Sequence, residues 1–379
     1  MTEPPKLLYV VTEDWFFASH FLSVAAAARE AGFAVGVVVR SRDPALVGRI
    51  EAAGVRVIAS RHERGQFGPL AMLGHVVWFA KLFRAERPDI VHLISVRLIV
   101  LAGLGAVLAG VRRRVQAVTG LGLIGASAGT RAKVALRLLG RLLRGPLGGR
   151  RVRYVFENRE DPVALGMGPD DPALTIVGGA GIDPARETEL PMPPMPPLRV
   201  AVVARMVRSK GVDVAVEAVR RARSAGVDVA LSIYGAPDPE NPRSLSAATL
   251  EAWSREPGIV WRGHAEDVRA VWRDHHVVCV PSRGGEGLPR SLLEGAAAGR
   301  AVVTTRTPGC ATFARDGIEG FVTPPEDVDA MAKGFVSMAA DPDLVARFGH
   351  AARARVLDGF TTEAVAKSFV AVYRALVSG

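Results

Sequence analysis

The chain has 379 residues, which is more than one ordinary domain holds, so its length predicts two or three domains. Hydrophobic residues make up 49% of the chain and charged residues 23%, so the chain can form folded cores and a disordered chain is excluded. The net charge of +10 favours anionic partners. The two cysteines, Cys279 and Cys310, are too few for a disulfide framework and are typical of a reducing cytoplasm.

The N-terminus lacks the basic and long apolar segments of a signal peptide, so none is expected. The most apolar stretch, Leu98–Val111, has 14 residues and is shorter than the roughly 20 needed to cross a bilayer. It predicts a buried helix.

The first half of the chain alternates between helix and strand patterns. The predicted strands cover residues 6–12, 34–40, 55–59, 89–93, 114–118, 152–156 and 174–177. The predicted helices cover residues 19–31, 44–53, 70–84, 98–109 and 131–144. Such alternation predicts a parallel sheet with helices on both faces. The turn after the first strand contains no glycine, which argues against a dinucleotide-binding fingerprint and a nicotinamide enzyme.

Open parallel sheets bind ligands beyond the carboxyl ends of their strands. By that rule three loops of the first half are candidates for a binding site: Glu13–His20, Thr119–Gly125 and Asn158–Asp161. His92 follows an apolar run and is expected to lie in the core rather than in a site.

A long acid-free segment carries much of the positive charge. Between Ile90 and Phe156 there is no Asp or Glu, whereas Lys and Arg are frequent. The basic residues of this segment are Arg97, Arg112, Arg113, Arg114, Arg131, Lys133, Arg137, Arg141, Arg144, Arg150, Arg151 and Arg153. This segment is expected to face anions.

Within that segment, spacings of three and four place Lys133, Arg137, Arg141 and Arg144 on one side of a helix over 131–144. Such a basic amphipathic helix can lie on an anionic membrane, and a helix docked only for structural reasons is the alternative. Nucleic acid is disfavoured, because no aromatic residue for base stacking occurs from Arg97 to Arg153. We therefore expect Arg131–Arg153 to contact an anionic membrane surface, in a cytoplasmic protein held on the inner face of the cell membrane.

A proline-rich run divides the chain. Leu190–Leu198 contains five prolines in nine residues, which favours a stiff extended connector. The predicted organisation is a first domain at 1–188, a linker at 189–198, a second domain at 199–360 and a closing helix within 361–379. Strands of the second domain are predicted at 199–204, 228–234, 259–262, 276–280, 301–305 and 320–322.

The segment Val277–Thr305 reads as strand, loop, helix and strand, with Glu286 and Glu294 eight residues apart. Pro289 suits the first position of the helix, whose free N–H groups can receive an anion. A diphosphate at the helix start, with a carboxylate on either side, is a coherent nucleotide-sugar site.

The run from Glu286 through Gly287, Leu288 and Pro289 to Glu294 resembles the E-x7-E segment of retaining GT-B glycosyltransferases of family 4. The resemblance implies an α/β fold of two doubly wound, Rossmann-like domains facing a cleft. It implies that the first domain binds the acceptor, that the second binds the donor, and that the last helix packs back on the first domain.

The resemblance also implies roles for residues of the second domain. Glu286 would bind donor sugar hydroxyls and Glu294 the ribose, while Arg205 and Lys210, which follow the strand at 199–204, would grip the diphosphate. The N–H groups of Gly287 and Leu288 would assist them. Residues expected to border the base are Gly235 and His264.

In the first domain, the segment EDWFF..H around Asp14 and His20 resembles the opening of family members that build lipid-linked and surface glycans. A helix-capping Asp and a half-buried His remain equal alternatives. The acceptor-side candidates are Asp14, His20, Gly120, Gly122, Asn158 and Gly181.

The sequence therefore predicts a retaining glycosyltransferase that uses a nucleotide diphosphate sugar, most simply a UDP-sugar, and a lipid-linked or surface-glycan acceptor. A soluble natural-product acceptor, sugar epimerisation and an inactive scaffold are the alternatives. No cofactor or metal is predicted, because the two D-x-D triplets at 327–329 and 341–343 precede helix patterns, where acidic residues favour the helix dipole.

Overall fold

The computed structural model describes residues 3–60, 68–126 and 129–378. It divides into two compact units, one formed by Met1–Gly181 with Thr362–Gly379 and the other by Ile182–Thr361. The proline-rich run at 189–198 lies inside the second unit.

In its described part, the first unit contains a sheet of seven parallel strands. Its strands are β1 (Lys6–Glu13), β2 (Ala34–Arg40), β3 (Arg56–Ala59), β4 (Ile90–Ile94), β5 (Arg114–Val118), β6 (Val152–Phe156) and β7 (Leu174–Ile176), in the order β3-β2-β1-β4-β5-β6-β7. Every residue of β4 and β5 is buried, because helices cover both faces of the sheet. The predicted parallel sheet is confirmed.

Helices connect these strands and pack on both faces of the sheet. They are α1 (Asp14–His20), α2 (Leu22–Glu30), α3 (Pro44–Ala52), α4 (Pro69–Glu86), α5 (Val96–Leu108), α6 (Gly122–Gly125), α7 (Thr130–Arg144) and α8 (Glu160–Ala164). One hydrophobic cluster contains residues of α1, α2 and α3, and a second cluster on the other face contains residues of α4, α5 and α7.

The three candidate loops of the first unit are shorter than predicted, because each contains helix. Residues 14–20 form α1, residues 122–125 form α6, and α8 begins at Glu160. The helix predicted at 19–31 is likewise wrong in its start, since α1 and α2 meet at Phe21, which has a non-helical backbone. The apolar segment after Glu13 contains no helix breaker, so the helical turn begins at once.

The second unit contains, over its described residues, a sheet of six parallel strands. They are β8 (Leu198–Val203), β9 (Val229–Tyr234), β10 (Ile259–Gly263), β11 (Val277–Val280), β12 (Ala301–Thr305) and β13 (Gly320–Thr323), in the order β10-β9-β8-β11-β12-β13. In both sheets the strand order reverses beside the strand that comes first in the chain, β1 or β8, as in a doubly wound fold.

Several described helices of the second unit begin at an N-cap side chain that accepts a backbone N–H. They are α9 (Val212–Ser224), α10 (Ala247–Ser254), α11 (Val268–Arg273), α12 (Arg290–Ala297), α13 (Pro308–Phe313), α14 (Val328–Ala340) and α15 (Pro342–Leu357). The carboxylates of Asp327 and Asp341 accept the N–H groups of Ala330 and Leu344 at 2.9 and 3.0 Å. Both D-x-D triplets thus begin with an N-cap residue, which agrees with their structural interpretation.

The last helix, α16 (Thr362–Ser378), belongs to the first unit and packs on α2. The Tyr373 hydroxyl lies 2.9 Å from the Tyr9 hydroxyl and 2.8 Å from Nδ1 of His92. All three side chains are buried, and burial lowers the pKa of His92 to about 3. His92 is therefore a neutral core histidine, as predicted.

The proline-rich run is fixed to the second unit rather than free. The buried guanidinium of Arg300 donates to the carbonyls of Leu190 and Pro191 at 2.6 and 2.9 Å. Nε2 of His276 lies 3.0 Å from the carbonyl oxygen of Pro193. Prolines leave carbonyl acceptors without N–H donors, so such a run needs side-chain donors when it packs against a folded unit.

Candidate active site

The site begins with the turn after β8. Residues 208–210 form a single 3-10 turn that presents Lys210, and Gly211 then starts α9 with φ +69°. A Cβ at Gly211 would lie 1.8 Å from the carbonyl oxygen of Pro281, which follows β11. Only glycine permits this close approach, so the turn after β8 lies directly against the loop after β11.

Arg283 ties these two segments together. Its guanidinium donates to both carboxylate oxygens of Asp213 at 2.7 and 2.9 Å, and to the carbonyl of Arg208 at 2.8 Å. Its backbone N–H donates to the carbonyl of Ser209 at 2.8 Å. The sequence did not reveal this role, because Asp213 lies 70 residues away in the chain.

The loop after β11 then reverses at Gly284 and Gly285, whose φ angles are +103° and +81°. This reversal brings Glu286 into direct contact with Lys210, carboxylate to ammonium. The two side chains are 18% and 21% exposed, so the pair is shielded but reachable. Among the described residues, Oε1 of Glu286 is buried and has no hydrogen-bond partner. This oxygen can accept a hydrogen bond from a hydroxyl group of a ligand.

Cys310 lies beside this pair. Burial, and to a smaller extent the charge of Glu286, raise the pKa of its thiol to about 11. Cys279 is also buried, and burial raises its pKa. Both thiols are therefore buried and neutral.

Glu294 lies in α12, which starts at Arg290. Pro289 is the N-cap of that helix and not its first residue as predicted, because its ψ of 125° is extended. Nε of Arg290 donates to Oε1 of Glu294 at 2.6 Å, across one helical turn. Burial raises the pKa of Glu294, and the charge of Arg290 opposes that rise.

The other donor-side candidates lie in separate positions of the second unit. Arg205 pairs with Asp238 at 2.8 Å and is half exposed. The Leu288 side chain is buried in the core, so only its backbone can serve a ligand, and Gly287 is buried too. The loops after β9 and β10 hold Gly235, whose carbonyl accepts the Trp261 indole N–H, and the exposed His264.

The structure thus brings Lys210 and Glu286 together, while Arg205 and Glu294 pair with Asp238 and Arg290. The sequence did not single out either partner. Arg290 could have been found from its four-residue spacing to Glu294, which places the two side chains on one helix face. Asp238 carries no such signal.

In the first unit, Asp14 is buried and its carboxylate accepts backbone N–H groups. The N–H groups of Arg42 and Asp43 approach Oδ2 at 2.6 and 2.9 Å, and that of Trp15 approaches Oδ1 at 2.8 Å. Asp14 therefore joins α1 to the segment after β2, and these contacts favour the structural alternative. His20 is half-buried and its ring stacks on Phe16. Nδ1 of His20 shares a hydrogen bond with the hydroxyl of Ser19.

Asn158 is also buried and fixes the start of α8. Its amide donates to Oδ2 of Asp161 at 2.9 Å, and its Oδ1 accepts the N–H of Asp161 at 2.7 Å. Burial raises the pKa of Asp161 to about 6, against the opposing hydrogen bond from Asn158. The remaining first-unit candidates, Gly120, Gly122 and Gly181, all have positive φ angles, of +116°, +61° and +67°.

Two family models match the chain, one in each unit. The model described as Glycosyl transferase 4-like matches residues 6–143, and the model described as Glycosyl transferases group 1 matches residues 197–341. The chain belongs to the GT-B glycosyltransferase enzymes. Within that family, the E-x7-E segment, Arg205 and Lys210 all fall inside the group 1 match.

Solved structures and curated proteins agree with this GT-B assignment. The structure of Anabaena HepE in complex with UDP-glucose has a TM-score of 0.74 at 15% identity, covering 99% of this chain and 100% of that one. The putative colanic acid biosynthesis glycosyltransferase WcaL of Escherichia coli is 29% identical over 53% of this chain and 51% of its own length. Alpha-maltose-1-phosphate synthase of Mycobacterium tuberculosis is 31% identical over 54% of this chain and 57% of its own. The matches thus span about half the length of these curated relatives.

Proposed function

We propose that this GT-B protein transfers a sugar from a UDP-sugar to an acceptor hydroxyl in glycan synthesis, with retention of anomeric configuration. The observation that carries the proposal is the contact of Lys210 with Glu286 at the carboxyl end of β11, together with the unpartnered Oε1 of Glu286. The UDP-glucose complex of HepE, which has the same fold, supports the choice of donor.

The diphosphate would be held by cations and backbone N–H groups. Lys210 and Arg205 both follow β8, at the sheet edge where parallel α/β folds bind ligands. Negative charge builds up on the diphosphate as the glycosidic bond breaks, so cations placed there lower the barrier more than they tighten binding. We propose that these side chains and the Gly287 and Leu288 backbone do this without a metal ion.

The two carboxylates would hold the sugars. Oε1 of Glu286 has an open acceptor position for a donor-sugar hydroxyl. Glu294 lies eight residues further on and, while ionised, accepts hydrogen bonds from ribose hydroxyls. Lys210 and Arg290 orient the two carboxylates through the ion pairs that they form with Glu286 and Glu294.

Retention is proposed to follow a front-face route. The bond from the anomeric carbon to the diphosphate oxygen breaks, and the acceptor oxygen forms a bond on the same face. The acceptor proton passes to the departing phosphate oxygen. This route is preferred because the sequence singles out no carboxylate for a covalent glycosyl intermediate.

The acceptor is proposed to be lipid-linked or a surface glycan, used at an anionic membrane. On α7, Leu136 and Leu143 are buried in the first unit, but Val134 and Leu138 are 48% and 56% exposed. Lys133, Arg137 and Arg141, on the same helix, are exposed. This outward face combines apolar and basic side chains, as interfacial helices do. No helix among the described residues is long and apolar enough to span a bilayer.

Flotation with vesicles tests the membrane proposal. We expect Arg137→Glu with Arg141→Glu, and separately Leu138→Gln, to weaken flotation with phosphatidylglycerol-containing vesicles. The control pair, Arg49→Glu with Arg374→Glu, makes the same charge change on helices of the opposite face and should float as wild type. Equal flotation of all variants would exclude a role for α7 at the membrane.

A soluble acceptor is the second candidate. The similarity to alpha-maltose-1-phosphate synthase favours it, since the name of that protein states a phosphosugar product.

Product analysis separates the candidates. UDP- and GDP-sugars are each incubated with a polyprenyl-diphosphate sugar or with a soluble sugar phosphate, with and without EDTA. We expect UDP-dependent transfer to the lipid acceptor, retained in EDTA and with the anomeric configuration of the donor. Transfer only to the sugar phosphate would select the second candidate, and no UDP-sugar transfer would contradict the proposed donor.

A further inference from the structure

The first unit has an arginine-rich cavity at the amino-terminal edge of its sheet. Its volume is about 410 Å³, within the roughly 300–1,000 Å³ range of small-ligand pockets. It is bordered by the end of α4, the end of α5 and the residues that precede β4, β5 and β6. Its charged lining residues, in the described structure, are Arg84, Arg87, Asp89, Arg112, Arg113 and Arg151.

The charge of this cavity is unbalanced. Asp89 is the single carboxylate among its described lining residues, and Oδ2 of Asp89 already accepts the backbone N–H of Lys6 at 2.8 Å. The lack of any acidic residue between Ile90 and Phe156 explains the imbalance. Clustered guanidinium groups repel one another, and a bound anion would relieve that repulsion.

Several of these guanidinium groups have no protein partner. Arg84 donates to the carbonyl of Leu108 at 2.6 Å and so caps the end of α5. Among the described residues, by contrast, the side chains of Arg87, Arg112 and Arg113 make no hydrogen bond or ion pair. Nε of Arg113 is moreover buried. A buried N–H without an acceptor is costly and marks a position where a ligand oxygen fits.

Helix capping does not explain the whole cluster. The negative ends of α4 and α5 attract Arg84 and Arg87, which lie at or beside the last turn of α4. Arg112 and Arg113 instead lie in the segment that leads into β5. The backbone of Arg113 is held by the sheet, since its carbonyl accepts the N–H of Val91 at 3.1 Å. The side chains therefore project from a fixed edge.

A second cavity of about 330 Å³ shares this edge. It is lined by Arg112, Arg114, Arg150 and Arg151 together with Gly148 and Gly149. Arg112 and Arg151 border both cavities, so the basic surface is continuous. Arginine matches the geometry of phosphate oxygens with paired N–H donors, which lysine does not.

We propose that this edge is a binding site for a phosphate-bearing anion, either a free diphosphate or a lipid phosphate headgroup. It lies at the amino ends of the strands, whereas the donor-side and acceptor-side candidates lie at the carboxyl ends. The site is thus separate from the proposed transfer reaction and does not depend on it.

Calorimetric titration of the full-length protein with pyrophosphate tests the site. Arg112→Ala with Arg113→Ala removes two unpartnered guanidinium groups, and Arg49→Ala with Arg374→Ala removes two exposed charges elsewhere in the same unit. We expect the first pair to weaken one pyrophosphate-binding component by about tenfold or more and the second pair to leave it unchanged. Any pyrophosphate bound in the second unit is common to both variants. Circular dichroism melts establish that both variants are folded.

Flotation with phosphatidylcholine vesicles, with and without phosphatidylglycerol, separates the two phosphate sources. Loss of pyrophosphate binding only in Arg112→Ala with Arg113→Ala supports a soluble ligand. Loss of both pyrophosphate binding and phosphatidylglycerol-dependent flotation only in that variant supports a lipid headgroup. If both variant pairs behave alike in both measurements, or if chloride at equal ionic strength displaces pyrophosphate, the proposal is overturned.

Discussion

Glu294 shows how a single side chain can set the pH range in which the proposed donor site binds its ligand. Its carboxylate is only 14% exposed and is paired with Arg290 on the same helix. Burial raises its pKa, and Arg290 limits the rise. The ionised form, which the proposed contact with two ribose hydroxyls requires, therefore predominates only above a raised pKa.

The Arg290→Ala variant tests this pairing. Without the guanidinium the pKa of Glu294 rises further, so the carboxyl becomes protonated at a higher pH than in wild type. UDP affinity is measured by calorimetry across pH. As the pH is lowered, we expect the affinity of Arg290→Ala to be lost at a higher pH than that of wild type, whereas Arg290→Lys keeps nearly the wild-type profile. An unchanged pH midpoint in Arg290→Ala would contradict the assignment.

The residues predicted from sequence are those that a motif or a strand end marks. Lys210 and Glu286 were singled out in this way, and the structure places them in contact. The ion pairs around them were not predictable. Arg283 pairs with Asp213, which lies 70 positions away in the chain, and Arg205 pairs with Asp238, which lies 33 positions away. Such pairings are set by how the loops of a sheet edge meet, which local pattern does not contain.

At the scale of elements, strands were predicted to within one or two residues, whereas some short helices were missed. The buried strands β2, β5 and β12 begin and end at the predicted residues, since continuous apolar runs bounded by polar turns define them. The helices α10 and α11 were missed, because eight and six residues provide little periodicity. The proline-rich run was predicted as a stiff connector from its prolines. Its attachment to Arg300 and His276 was not predicted, because those two residues lie far along the chain.

Arg300→Met tests the attachment of that run. The substitution keeps side-chain volume but leaves the carbonyls of Leu190 and Pro191 without their donor. We expect the Leu190 amide, which donates to the Ala298 carbonyl, to exchange with solvent about tenfold faster by mass spectrometry. Arg347→Met removes an exposed arginine of the same unit and serves as control. Equal exchange in both variants would mean that Arg300 does not hold the run.

At the scale of the whole molecule, the chain passes through the second unit and returns to complete the first. The helix α16 supplies Tyr373, whose hydroxyl serves both Tyr9 and His92 in the core of the first unit. The first unit therefore needs residues from both ends of the chain.

The Tyr373→Phe variant measures how much the hydroxyl group supplied by α16 contributes to the stability of the first unit. It leaves the Tyr9 hydroxyl and Nδ1 of His92 buried without their shared partner. We expect the free energy of unfolding, from urea titration, to fall by about 1–3 kcal/mol. Ser378→Ala removes an exposed hydroxyl from the same helix and should change it by less than about 0.5 kcal/mol. Equal midpoints for the two variants would show that the hydroxyl network does not stabilise the first unit.

The central proposal is that Lys210, oriented by Glu286, stabilises the departing diphosphate, and the turnover number of Lys210→Ala tests it most directly. With the UDP-sugar and acceptor found by product analysis, we expect kcat to fall by about 100–1,000-fold in Lys210→Ala and in Glu286→Ala, with unchanged thermal melts. Lys333→Ala, which removes an exposed lysine of α14, should keep the wild-type rate. A kcat near wild type in Lys210→Ala would contradict the account.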